Sequence, residues 1–336
     1  MPGPAESKGG APLVLGIDTS CDDTGVGVAR GPVVLANVVE SQTALHARFG
    51  GVMPELASRE HLEVIADVAQ RALAEAGVTL ADLGAVAATR GPGLVGALLV
   101  GLSYGKALAW GLGVPFVPVH HLEGHLAAAG GAEPPFIALL ASGGHTALFA
   151  VHAWGQVEEL GRSRDDAAGE AFDKVARLLD LGYPGGAALA QLAATGDDQA
   201  LSLPQPMQGH KGLDFSFSGL KTAVAQLLER QPDARPADVA ASFERVVVTS
   251  LVNGAARALS QTGMQRLVVA GGVAANARLR REFAAAGIDV AFPPPALATD
   301  NGAMIALAGG QRLASGRLPP APFTADAEPY LPLVGA

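Results

Sequence analysis

The chain has 336 residues and a formal charge of −9 at pH 7, and its 43 glycines and 23 prolines mark many tight turns. That length allows two domains with separate cores. The single cysteine, Cys21, excludes an internal disulfide and a cysteine-built zinc site, and the acidic balance argues against a free-standing nucleic-acid binder, whose affinity comes largely from Lys and Arg on phosphates.

The first twelve residues, "MPGPAESKGGAP", lack the apolar centre of a signal peptide and read as a loose tail. "LVLGIDTSCDDTGVGVAR" then reads as strand, turn, strand. Its turn crowds Asp18, Thr19, Ser20, Asp22, Asp23 and Thr24 together. Such residues serve a hairpin's own hydrogen bonds, and they equally suit a metal-bound phosphate. Cys21 has no activating neighbour and reads as a small packed residue. "EHLEVIADVAQRALAEAG" has helical periodicity. The most apolar stretch, residues 91–119, carries Gly, Pro and Lys106. A membrane span needs about 20 uninterrupted apolar residues, so this stretch reads as a buried helix followed by a strand, and no membrane is expected.

"VHHLEGHL" follows at residues 119–126 and reads as the start of a helix running to a glycine stop. His121 and His125 stand at i and i+4, on one face. Glu123 falls on roughly the opposite side, which matches neither the H-E-x-x-H order of zinc proteases nor its inverse. Two histidines so placed suit two metal ligands, and they equally suit one cap and one packed ring.

The segment near Gly130 to Pro135 reads as a domain boundary. Beyond it, "FIALLASGGHTALFAVHA" repeats the strand–turn–strand pattern of the first segment. In "SRDDAAGEAFDK", helix-dipole and capping chemistry covers Asp165 and Asp166. Asp173 lies two turns in, where a carboxylate suits ribose hydroxyls. "GYPGG", Gly182 to Gly186, is a turn allowing close backbone approach to a ligand. "RLVVAGGVAANARLRREF" is a strand running into Gly271-Gly272 and a helix with Asn276 near its start, a layout that suits a phosphate or ribose. Arg278, Arg280 and Arg281, like Arg162 and Arg164, read as solvated faces. "LATDNGAMIALAGG" starts a helix at or near Asp300. An Asp there serves as an N-cap or joins His121 and His125 as a third ligand, a set used by non-haem iron and open to zinc. The Pro-rich end after Leu318 reads as a tail, strapped down or loose.

Mixed strands and helices in two similar halves imply a duplicated α/β architecture with a nucleotide in the cleft between them. Ten motifs taken together resemble one family. "GIDTSCDDTGVGV", "HARFGGVMPELASREH", "GPGLVGALLVG", "HHLEGH", "SGGHT", "DDAAGEAFDK", "YPGG", "GLDFSFSGLKT", "AGGVAAN" and "TDNGAMIA" occur in its order between residue 13 and about 310. It is the TsaD-type tRNA threonylcarbamoyladenosine transferase family, formerly labelled a glycoprotein endopeptidase.

The resemblance implies an α/β fold with two related domains of the actin/hexokinase-like (ribonuclease H-like) superfamily around a nucleotide cleft. The first would take residues 13–130 plus about 298–330, and the second residues 131–297. It implies transfer of threonylcarbamoyl from threonylcarbamoyl-AMP to the N6 amine of the adenosine 3′ of the anticodon, in tRNAs reading codons beginning with A. The family's ligands fall on His121, His125 and Asp300, holding one divalent metal, Fe(2+) with zinc as the alternative. Its adenylate contacts fall on Leu140, Ala141, Ser142, Gly143, Gly144, Asp173, Gly186 and Asn276. Many members carry an acidic residue where this chain has Ala190. The implied partners are tRNA, a TsaB-like paralogue and a TsaE-like ATPase, in the cytoplasm. The rival readings are an ATPase or phosphotransferase of the same superfamily, a metalloprotease and a non-catalytic nucleotide-binding scaffold.

Overall fold

Leu13–Asp18 is apolar along both faces because it is the central strand, β1, of a sheet covered on both sides. The computed structural model describes residues 10–130, 133–182, 184–207, 209–317 and 322–333. The first nine positions of the expected N-terminal tail, two residues of the expected boundary, Tyr183 of "YPGG" and the first residues after Arg317 lie outside that set. The chain divides into two compact units, residues 1–131 with 300–336 and residues 132–299.

In the first unit, β1 pairs antiparallel with β2 (Asp23–Arg30), which pairs with β3 (Val33–Ser41). A short helix α1 (Thr43–Ala47) and a long helix α2 (Pro54–Ala76) lead to β4 (Ala85–Gly91), parallel to β1. Helix α3 (Val95–Leu112) leads to β5 (Phe116–His120), and α4 (His121–Ala128) follows it directly. The sheet order is β3-β2-β1-β4-β5.

The second unit repeats the scheme. Strands β6 (Phe136–Ala141), β7 (Thr146–Ala153) and β8 (Gln156–Arg162) form an antiparallel meander. Helices α5 (Ala168–Leu178), α6 (Gly186–Ala193), α7 (Ser218–Arg230) and α8 (Pro236–Thr262) follow. Strand β9 (Arg266–Ala270) pairs parallel with β6, α9 (Ala277–Ala285) crosses over, and β10 (Asp289–Ala291) closes the sheet. The order β10-β9-β6-β7-β8 is the first unit's order strand for strand. Its core gathers Phe172, Phe215, Phe217, Phe243 and Phe283 among Val and Leu.

Helix α10 (Gly302–Ala314) belongs to the first unit and lies on β1 and β2. The contact is backbone on backbone. A Cβ on Gly27 would stand 2.3 Å from the Ala303 nitrogen, and one on Gly302 would stand 2.3 Å from the Gly27 nitrogen. Glycine on both sides is what lets the helix settle there. Helix α3 runs unbroken through four glycines, which the sequence reading took as interruptions. It is long and apolar enough to cross a membrane, and one third of it is buried. It packs one face on β4 and α2, and Val95, Leu99 and Trp110 are exposed, so it is a half-buried helix and not a fully buried one. The described end of the chain is strapped to this unit. Glu328 pairs with Arg90, and Lys106 donates to the Ala325 carbonyl.

Candidate metal centre

The strand–helix junction at β5–α4 sorts its three histidines. His120 is the N-cap of α4, its Nδ1 accepting from the Leu122 amide at 3.1 Å, while its Nε2 lies 3.0 Å from the Leu331 carbonyl. The capping histidine is therefore His120, and His121 and His125 remain on one face. Their rings meet edge to face with centroids 4.8 Å apart.

Asp300 comes to them at the start of α10. The sequence left it as a candidate N-cap, but Asn301 holds that place, its side chain accepting from the Met304 amide at 2.9 Å. Asp300 Oδ1 lies 3.2 Å from His125 Nε2 and 3.6 Å from His121 Nε2. One ligand atom from each of the three residues lies within 4.8 Å of the others. Gly124 makes the approach feasible, since a Cβ there would stand 2.8 Å from Ile305 Cδ1.

The donor set fits a metal. His125 is 1 % exposed, yet among the described residues neither of its ring nitrogens makes a hydrogen bond, Nε2 having only the ion-pair contact with Asp300. A buried ring nitrogen left so costs about 1–3 kcal/mol, a cost that coordination through Nε2 would offset at that atom. His121 is oriented from behind by Ser20 Oγ, 3.1 Å from Nδ1, and Asp18 Oδ1 at 3.4 Å. A carboxylate behind a ligating imidazole fixes the ring and raises its basicity. Burial opposes a charge on His121, but Asp18 and Asp300 outweigh it and raise its pKa to about 9. Asp18 is itself held by Thr89 Oγ1 at 2.7 Å. Sequence reasoning named Asp18 and Ser20 only as members of a crowded turn; their position behind His121 is a tertiary fact.

The rest of that turn does other work. Thr19 Oγ1 donates to the Ala97 carbonyl of α3 at 2.8 Å. Thr24 Oγ1 lies 2.7 Å from Nδ1 of buried His61, whose Nε2 lies 3.0 Å from the Cys21 carbonyl. Burial, with Asp22 and Asp300, pushes the Cys21 thiol far up and so disfavours its thiolate. Glu123 meets Arg312 through one oxygen: Oε2 accepts from Nε at 2.7 Å and lies 2.6 Å from Nη2, with both side chains nearly buried, while Oε1 is buried without a hydrogen bond among the described residues. This ion pair joins α4 to α10.

The candidate adenylate residues all belong to the second unit. Leu140 and Ala141 are buried strand residues. Beyond them Ser142 and His145 close a tight turn, and Gly143 and Gly144 are exposed with open space around them. Gly271, at φ +88°, packs against the Ala141 carbonyl, which brings the turn after β9 beside the turn after β6. Asp173 Oδ1 accepts from the amides of Gly185 and Gly186 at 2.9 and 3.0 Å. It thus holds the "GYPGG" turn in shape. Asn276 caps α9 through the Leu279 amide and donates to Glu244 at 2.7 Å. Asp165, expected as an ordinary acid at the start of α5, instead accepts from Ser216, Phe217 and Ser218 and ties down the start of α7.

Comparison with known proteins places this arrangement. The sequence profile described as "TsaD: tRNA N6-adenosine threonylcarbamoyltransferase" matches residues 33–307. A tRNA N6-adenosine threonylcarbamoyltransferase of Thermus thermophilus is 54% identical over 322 residues, 95% of this chain and 98% of that protein. The protein of a second strain of the same organism is equally similar. Among solved structures, HypF of T. kodakarensis overlays with a TM-score of 0.61 at 16% identity, covering 94% of this chain and 49% of that one. The (R)-2-hydroxyglutaryl-CoA dehydratase component A of Acidaminococcus fermentans overlays with a TM-score of 0.56 at 18% identity, covering 90% and 100%. These likenesses show the fold alone, and it is the actin/hexokinase-like one.

Proposed function

Because the chain belongs to the family of tRNA N6-adenosine threonylcarbamoyltransferases, we propose that it transfers threonylcarbamoyl from threonylcarbamoyl-AMP to the N6 amine of the adenosine 3′ of the anticodon, in tRNAs reading codons that begin with A. The observation that carries this reading is the meeting of His121, His125 and Asp300 within a chain that aligns with such enzymes over nearly its whole length.

The exocyclic amine of adenosine is a poor nucleophile because its lone pair is delocalised into the ring. The acyl-phosphate anhydride compensates with a good leaving group. The new bond joins N6 to the carbamoyl carbon, the bond from that carbon to the phosphate oxygen breaks, and AMP departs, its phosphate taking up the proton that N6 releases. His121, His125 and Asp300 would hold the metal, for which Fe(2+) is our assignment. When bound, the metal supplies Lewis-acid stabilisation of developing negative charge. Asp18 and Ser20 keep the His121 ring in register. In the second unit, Ser142, Gly143 and Gly144 would offer backbone to the adenylate phosphate, a role open to a turn free of bulky side chains. Leu140 and Ala141 would position that turn. Gly186, held by Asp173, and the cap residue Asn276 would flank the nucleoside. Ala190 brings no carboxylate to a ribose. We assign the two units as actin-like domains, residues 13–130 with about 298–330 and residues 131–297. A TsaB-like paralogue, a TsaE-like ATPase and a cytoplasmic site of action complete the proposal.

Mass analysis of nucleosides tests it. tRNA incubated with this protein, its partners, threonine, bicarbonate and ATP should yield threonylcarbamoyladenosine. Steady ATP hydrolysis with unmodified tRNA would instead mark a nucleotide hydrolase.

A further inference from the structure

The motif "GLDFSFSGLKT" plays no part in the metal centre or the adenylate turns. Its Asp214, Phe215 and Ser216, with Met207, Gly209 and His210 before it, wall a separate cavity of about 280 Å³ in the second unit. Helix α8 forms the opposite wall. That helix is buried over most of its length, but Thr249, Asn253 and Arg257 stand at i, i+4 and i+8 and set a polar stripe against the cavity. Phe215 is buried beside Gly254 and stacks on Phe217, so the cavity has a packed, preformed side.

The charge on these walls does not balance. Asp214 is already used, accepting from Arg164 Nε at 2.9 Å and from the Arg162 amide at 3.1 Å. The Arg257 guanidinium is half-buried, and among the described residues it has neither an ion-pair partner nor a hydrogen bond; its Nε is fully buried. His210 Nδ1 accepts from the Gly212 amide at 3.0 Å. In the neutral ring that leaves the proton on Nε2, a donor. Asn253 and Thr249 add an amide and a hydroxyl. The free groups are thus one cation and several neutral donors, the complement of a tetrahedral oxyanion. At about 30 Å³ for each water, the cavity has room for a phosphate together with its sugar.

We propose that this cavity seats a backbone phosphate of the RNA substrate, with Arg257 as its charged contact. The inference rests on the tRNA reading above and deepens it by naming a place where RNA touches the chain. A net charge of −9 disfavours RNA binding through the chain's overall field and puts more weight on individual cations such as this one.

The test compares tRNA binding by the full chain with and without Arg257→Gln at several salt concentrations. The substitution should weaken binding about tenfold at low salt and lower the slope of log K against log salt by about one, the signature of one lost phosphate contact. Arg257→Lys should keep the slope. Asn253→Asp, which sets a carboxylate on the same helix face one turn from Arg257, should weaken binding as Arg257→Gln does. Unchanged affinity and slope in both Arg257→Gln and Asn253→Asp would overturn the proposal. So would a loss of inorganic-phosphate or AMP binding in Arg257→Gln with tRNA binding intact, which would make the cavity a small-molecule site. Failure of the transferase reading shows elsewhere, as absent threonylcarbamoyladenosine in the wild type, and the binding contrast is measured independently of it.

Discussion

Both units begin with a central strand that turns back on itself, and the two turns carry opposite chemistry. Between β1 and β2 the chain packs Asp18, Ser20, Asp22 and Asp23 into a turn whose first residues are buried beside His121. Between β6 and β7 it places Ser142, Gly143, Gly144 and His145, with the glycines open to solvent. One turn sets an acid, Asp18, and a hydroxyl, Ser20, behind His121; the other is largely glycine and open to solvent, which on our proposal would face an anion. Strand order is identical, so the shared frame fixes only where a turn falls. Its composition decides what it binds.

The sharpest break of that contrast is His121→Ala. Metal content should fall from one ion per chain to near none, and transfer should drop by at least about 100-fold, since losing even the outer partners of a metal site costs 10–100-fold. Ser142→Ala, in the other turn, should leave metal content unchanged. Metal analysis of the two purified variants, with nucleoside yields, decides the matter; equal metal loss in both would erase the distinction.

Glu123→Gln comes next. Leaving Arg312 buried without its partner should cost about 3–5 kcal/mol, visible as a lower midpoint in denaturant. Weaker metal binding should accompany it, because α4 and α10 carry the ligands that this pair joins. A fully stable variant with abolished transfer would instead make Glu123 a reacting group.

Glycines offer a milder comparison. Gly27→Ala drives a methyl into the α10 backbone and should cost about 1–3 kcal/mol or more. Gly143→Ala meets nothing within 4 Å and should leave the thermal midpoint nearly unchanged.

The remaining comparison, the one confined to a pH window, concerns the crowding of acids in the first turn. Burial, with Asp22 adding to it, raises Asp23 to a pKa of about 6, against Ser41, which lowers it. The folded state then keeps a proton that the unfolded chain releases. This contribution is whole below about pH 4 and is lost as pH rises through 6. Asp23→Asn should therefore be more stable than the parent at pH 7, by about 3 kcal/mol at one pKa unit per 1.36 kcal/mol. The advantage should vanish below pH 4 in parallel denaturation curves.

Much of the site was legible because it obeys local rules. A helix of 3.6 residues per turn puts His121 and His125 together whatever surrounds them, and the same geometry set Glu123 aside. The strand–turn–strand repeat was likewise readable from periodicity. Other features were ambiguous for equally physical reasons. Asp300 and Asn301 are both good caps, and nothing local says which one takes the role. The glycines of α3 look like breaks, yet a helix tolerates them when packing repays their entropy. Asp165 reads as a cap for its own helix and in fact holds another, 52 residues away.

The sequence by itself determined the periodic elements, the pairing of two imidazoles on one face and the makeup of each turn, because these depend on neighbours a few residues apart. Only the tertiary structure brought Asp300 to the imidazoles across 175 residues, set Asp18 behind one of them and, among the described residues, left Arg257 Nε buried without a hydrogen bond. Contacts of that kind are fixed by how helices settle on sheets, where a missing Cβ at Gly27 and Gly302 matters more than any charge.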